Sequence, residues 1–157
     1  MNKIIIFGNS GSGKSTLATK LCSERNLSHL DLDTITWQPD KPGVRLSFNE
    51  SLALLSSFIQ QNTDWVIEGC YGSLINEASK YCSELIFLNP GVDICLSNNQ
   101  KRPWEPHKYK SPEDQNEKFS FLQEWVKGYY TRSDEYSYET HKEIFNHFQG
   151  IKSEIQL

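Results

Sequence analysis

The chain has 157 residues, 37% hydrophobic and 23% charged, with a formal net charge of -4. That length predicts one domain, 1–157, large enough for a core of its own. The acidic balance comes with no basic tract, and no apolar run is long enough to span a bilayer, so duplex nucleic acid and membrane are not expected partners. The N-terminus runs straight into an apolar segment without a secretory leader, so a cytoplasmic protein is expected. Cys22, Cys70, Cys82 and Cys95 make no C-x-x-C pair. Free, mostly buried thiols are therefore expected rather than a zinc site.

In chain order, Ile4–Phe7 is a short continuous apolar run, the pattern of a strand covered on both faces, predicted over 3–7. Gly8–Thr16, "GNSGSGKST", follows at once. Its spacing fits G-x-x-x-x-G-K-[ST], a loop whose backbone N–H groups cradle phosphates. The binding set is Gly8, Asn9, Ser10, Gly11, Ser12, Gly13, Lys14, Ser15 and Thr16. In it Lys14 reaches the β- and γ-phosphates, and the Ser15 hydroxyl ligates Mg²⁺. A helix over 14–25 and a strand near 28–32 come next. Ser47 and Glu50 form a capping box, and Phe48, Leu52, Leu55 and Ile59 repeat at helical spacing to about residue 61. A strand at 64–68, a helix at 73–80, a strand at 84–88 and a helix at 91–100 follow. Ser111-Pro112 starts a helix with Phe119, Leu122, Val126 and Tyr129 inward. Ser133 starts another, with Tyr138, His141, Phe145 and Phe148 on one face, and "IKSEIQL" supplies a last strand. Alternating strands and helices imply an α/β fold, a parallel sheet with helices on both faces and ligands beyond the carboxyl ends of the strands.

Phosphoryl transfer needs carboxylates beside that loop. Asp31 and Asp33 end the second strand, on the same side if the segment stays extended, and Glu68 ends the third. Each also suits a solvated strand end. Only four arginines are present, Arg25, Arg45, Arg102 and Arg132. Arg102 and Arg132 stand like arginines of a lid; for Arg25, at the end of the first helix, a solvated or dipole-matching role suffices, and for Arg45 a surface charge and a role toward phosphate stay equally open. The stretch 101–112, "KRPWEPHKYKSP", carries three prolines and four basic residues and reads as a lid-like loop. Trp37 and Trp104 lie in loops where a ligand can stack. His107 and His141 have no partner legible in the sequence and receive no catalytic role.

Gly8–Thr16, the D-x-D at Asp31–Asp33 and the stretch near Arg102 together resemble a small P-loop kinase of the adenylate-kinase-like group, which includes nucleoside monophosphate, shikimate and gluconate kinases. "LDTITWQPD" (Leu32–Asp40), "WVIEGCYG" (Trp65–Gly72) and the Leu88–Glu105 region are more similar to the branch labelled topology modulation proteins. The resemblance covers roughly 1–105. It implies a P-loop NTPase fold with a five-stranded parallel sheet of order 2-3-1-4-5, a short lid, ATP and Mg²⁺, and a small-molecule acceptor near the D-x-D. On that basis Lys14, Asp33, Arg102 and Arg132 would be catalytic, and Ser15, Glu68 and Asp31 would serve the metal. The chain departs from the group's pattern in places. Asn98 stands where many nucleotide kinases carry the first of two lid arginines, and "EGCYG" lacks the glycine triplet of shikimate kinases. Two functions are therefore expected to compete: an ATP-dependent kinase with an unidentified acceptor, nucleotide or small hydroxyl compound, and a nucleotide-binding regulator with little turnover.

Overall fold

The computed structural model describes residues 1–41, 43–106 and 109–156. Five strands, β1 (Lys3–Gly8), β2 (Ser28–Asp31), β3 (Trp65–Gly69), β4 (Glu84–Leu88) and β5 (Ile151–Ile155), form one sheet in the order β2-β3-β1-β4-β5. All four pairings are parallel. Seven helices connect them: α1 (Lys14–Arg25), α2 (Asp33–Thr36), α3 (Phe48–Gln61), α4 (Gly72–Ala78), α5 (Val92–Gln100), α6 (Pro112–Lys127) and α7 (Tyr138–His147).

Residue alternation along the central strands divides the core. Ile4, Ile6, Val66, Ile86 and Leu88 pack with Ala18 and Leu21 of α1 on one face. Ile5, Phe7, Ile67, Leu85 and Phe87 pack with Leu55 of α3, Leu74, Ile75 and Ala78 of α4, and Tyr129 on the other. Both faces are covered because every connection is a crossover, which is why these strands read as unbroken apolar runs. The Phe7 and Phe87 rings stack with centroids 5.0 Å apart.

The caps follow the sequence. Ser47 Oγ accepts from Glu50 N, and Ser111 Oγ accepts from Asp114 N with Pro112 at the first helical position. Several boundaries differ from expectation. The second strand stops at Asp31, and α2 takes over from Asp33. The last helix begins at Tyr138, not Ser133, because Asp134 accepts the Tyr136 and Ser137 amides and holds 133–137 in turns. Tyr129 lies past the end of α6 yet is 1% exposed, and Phe48 stays on the surface of α3. Cys95 is buried, whereas Cys22, Cys70 and Cys82 are half-buried, against the expectation of mostly buried thiols. Among the described residues no helix is long and apolar enough to cross a membrane.

His141 is a structural residue. It is fully buried, with Nε2 2.9 Å from the Cys70 carbonyl and Nδ1 2.7 Å from the Tyr129 hydroxyl. A carbonyl can only accept, so Nε2 carries the proton and Nδ1 accepts from Tyr129. Burial pushes the His141 pKa down to about 4. The folded state therefore resists a proton that the unfolded chain takes up near pH 6.5. The contribution is complete above that pH and is lost as pH falls toward 4, reaching about 3 kcal/mol. Urea unfolding from pH 7 to 4 should show this slope in the wild type, and His141→Gln should flatten it. An equal slope in both proteins would assign the acid sensitivity to other groups.

Candidate active site

The β1–α1 loop crosses the carboxyl edge of the sheet. Gly11 and Gly13 adopt left-handed backbone, with φ 83° and 99°, and so fold the loop back over the start of α1. Lys14 is buried, and its Nζ donates to Asn9 O at 2.7 Å, across the loop. Asn9, Ser10 and Ser12 are buried as well, while Ser15 and Thr16 face solvent at the first turn of α1.

Two helices brace this loop. From α5, Asn98 Nδ2 donates to Gly11 O at 2.7 Å, and Asn99 exchanges hydrogen bonds of 3.4 Å with Ser10. From α6, the Val126 carbonyl accepts from Asn9 Nδ2 at 3.3 Å. In sequence Asn98 registered only as an absent arginine. In the fold it is a brace for the 8–16 loop, as is Asn99.

The carboxylates separate into different environments. Asp31 Oδ1 accepts the Asp33 amide at 2.9 Å, which bends the chain into α2. The D-x-D is thus a turn, and strand alternation does not set the relative directions of Asp31 and Asp33. Asp33 heads α2 and accepts a hydrogen bond from the Tyr71 hydroxyl. Tyr71 in turn accepts from Trp37 Nε1 at 3.2 Å. Arg45, held opposite Trp37 by an antiparallel bridge, lies over the Tyr71 ring and donates to Tyr136 Oη. In sequence Arg45 stands open between surface charge and a role toward phosphate, and neither Tyr71 nor Tyr136 receives a role. The one available signal was the placement of Tyr71 between two glycines at a strand end.

Glu68 lies on β3, paired with Ile6 of β1 and Asp31 of β2, and is 2% exposed. Its Oε2 stands 3.4 Å from His29 Nε2 but satisfies no hydrogen bond. The Glu68 carboxylate raises the His29 pKa, against partial burial. No group of three or more His, Cys, Asp or Glu side chains arranged to hold a metal occurs among the described residues. A magnesium ion does not require one, since it keeps several waters and takes one or two carboxylates plus phosphate oxygens.

Arg102 follows α5 directly, bonded to Glu105 Oε1 at 3.2 Å. Its charge and that of Lys14 both act on the Cys95 thiol, whose pKa burial nonetheless raises. Arg132 stacks 4.4 Å over Trp125, pairs with Asp134 at 2.8 Å and donates to the Trp125 carbonyl. The successive carbonyls of Trp125 and Val126 therefore hold Arg132 and Asn9 of the 8–16 loop. Arg132 Nη2 is buried without a hydrogen-bond partner among the described residues. Of the aromatic residues singled out in loops, Trp37 joins the Asp33 chain and Trp104 is exposed. His107 lies outside the described residues.

No family model and no curated protein matches the sequence. Solved structures do match. A shikimate kinase from Bacteroides thetaiotaomicron aligns with TM-score 0.61 and 16% identity, over 96% of this chain and 85% of that one. A gluconokinase from Sinorhizobium meliloti 1021 aligns with TM-score 0.55 and 15% identity, over 99% and 82%. A sugar kinase from Janibacter sp. HTCC2649 gives 0.50 and 12%, over 100% and 84%. The chain has the fold of small P-loop kinases. Within that fold, the braced loop and Asp33 follow β1 and β2, and Glu68 lies near the carboxyl end of β3, at the edge where open α/β sheets bind ligands.

Proposed function

We propose that this protein is an ATP-dependent phosphotransferase acting on a small acceptor, within the branch labelled topology modulation proteins, working as a single domain in the cytoplasm. The observation that carries the reading is the buried Lys14 Nζ inside a braced glycine loop. Orphaned polar atoms support it. Among the described residues, Ser12 Oγ in the loop and Glu68 Oε2 on β3 are both buried without a hydrogen bond, Glu68 Oε2 having only the 3.4 Å contact with His29. Such groups are costly unless something binds them, and a phosphate oxygen and a hydrated cation match these two.

When bound, ATP supplies the phosphoryl group, and Mg²⁺ neutralises charge on its β- and γ-oxygens. The loop 8–16 offers its N–H groups and the α1 N-terminus to the phosphates. Lys14 exchanges the Asn9 carbonyl for phosphate oxygen. Ser15, Glu68 and Asp31 hold the metal and its waters. Asp33 accepts the hydrogen bond of the acceptor hydroxyl and aims it. Arg132, through Nη2, and Arg102, released from Glu105, balance the charge on the group in transfer. The segment 101–112 is the lid that excludes water; its His107 and Lys108 lie outside the described residues.

A second reading, a nucleotide-binding regulator with little turnover, is favoured by one fact: both lid arginines are already paired, with Glu105 and Asp134. ADP release measured across nucleosides, nucleotides, sugars and hydroxy acids separates the two. The kinase reading expects one class to raise ADP release at least about tenfold over hydrolysis, with Asp33→Asn removing the increase while ATP still binds. Amide exchange in 101–106 and 109–112 should slow with a non-hydrolysable ATP analogue and Mg²⁺. No stimulation by any class, with exchange unchanged while the P-loop becomes protected, would leave the regulator.

A further inference from the structure

Tyr71 receives no role from the "WVIEGCYG" stretch that contains it, yet it forms the centre of a directed hydrogen-bond chain. An indole N–H can only donate, so the Trp37 Nε1 bond occupies a lone pair of the Tyr71 oxygen. The phenol has a single proton, and that proton goes to Asp33 Oδ1. Burial first, then the Asp33 charge, raises the Tyr71 pKa far above the usual phenol range, so Tyr71 remains a donor at any working pH. The ring is 5% exposed and is locked by the edge of the Tyr136 ring and by the Arg45 guanidinium. Asp33 is also fixed through its backbone, by Asp31. The carboxylate is thereby constrained from β2, from the segment after β3 and from the loop after α2.

We infer that Tyr71 is a positioning residue: with its proton directed by Trp37, it holds the Asp33 carboxylate in the orientation that receives the acceptor's hydroxyl. The inference rests on the phosphotransferase reading for its consequence, but not for its geometry. In phosphoryl transfer there is little covalent work for the protein, and catalysis depends on aim. A carboxylate free to rotate about its side-chain bonds would lose that aim without losing nucleotide affinity.

The experiment has a spectroscopic and a kinetic arm. Proton NMR of the whole chain should show a low-field, slowly exchanging phenolic proton. It should vanish in Tyr71→Phe, move in Asp33→Asn, and exchange faster in Trp37→Phe. Absence of that proton in the wild type, or a signal indifferent to Asp33→Asn, overturns the inference even if the enzyme is an active kinase. In the kinetic arm Tyr71→Phe should lower kcat about tenfold while KM for MgATP and Tm are retained, and should cost nothing further in an Asp33→Asn background. An equal loss in both backgrounds means that Tyr71 acts as packing, not through Asp33, and also overturns it. If no acceptor and no hydrolysis give measurable turnover, the proton spectrum decides the positioning of Asp33 alone, and the failure falls on the phosphotransferase reading.

Discussion

Lys14→Ala should weaken ATP binding about 10- to 100-fold while leaving adenosine binding unchanged. The Lys14 ammonium is buried and already bonded across the loop to Asn9 O, so its position needs no reorganisation beyond exchanging one acceptor for another. A charge-assisted hydrogen bond to phosphate in such a place is worth about 1.5–3 kcal/mol. Adenosine has no phosphate and does not use the contact. Titration calorimetry of both ligands in both proteins reads the difference directly. Equal ATP affinity in wild type and Lys14→Ala would remove the phosphate site from this loop. A uniform loss for ATP and adenosine would mean instead that the substitution had damaged the fold.

Gly11→Ala should destabilise the protein by about 2–5 kcal/mol, a large share of the 5–15 kcal/mol of an ordinary domain. Two costs combine. The φ of 83° puts an L side chain in the left-handed region, at about 1–2 kcal/mol. In addition, a Cβ at Gly11 would run into the Cys95 carbonyl of α5 and crowd the Asn99 side chain. The carbonyl is helix backbone and cannot swing aside. Gly13 separates the two effects: its φ is 99°, but nothing lies within 4 Å of an added Cβ. Gly13→Ala should therefore cost only the conformational strain, about 1–2 kcal/mol. Urea midpoints at constant m-value give the order. If Gly13→Ala proves the more damaging, the α5 brace on the loop is not as close as the geometry states.

The elements that sequence placed best are those whose signals are local. The loop 8–16 has a fixed spacing of residues with special backbone needs, and the helix starts at Ser47 and Ser111 carry their own caps. The backbone of that loop, with Gly11 and Gly13 in left-handed conformation, was legible for that reason. The central strands were legible because a doubly covered parallel sheet demands unbroken apolar runs, as in Ile4–Phe7 and Leu85–Leu88. The boundary errors share a cause. At Asp31–Asp33 and at Ser133–Ser137 an aspartate side chain captures nearby amides, and propensity does not reveal which of several aspartates will do so.

The remainder of the candidate site was set by contacts between distant segments. Asn98 and Gly11 are 87 residues apart, Asn9 and Val126 are 117 apart, and Tyr71 and Asp33 are 38 apart. Nothing in the local sequence of Asn98 distinguishes a brace from a surface amide, and nothing around Tyr71 separates a directed donor from a core ring. Periodicity and backbone conformation are properties of neighbouring residues, so sequence alone determined the alternating α/β architecture and the glycine-rich loop 8–16, while the strand order was legible only as what the family resemblance implied. Tertiary structure alone decided that Asn98 and Asn99 support that loop, that Arg45 lies on Tyr71, and that Asp33 is held by a tyrosine whose proton a tryptophan directs. Those roles exist only where crossovers bring separate strand ends to one edge of the sheet, and hydrogen-bond direction is fixed only when both partners are in place.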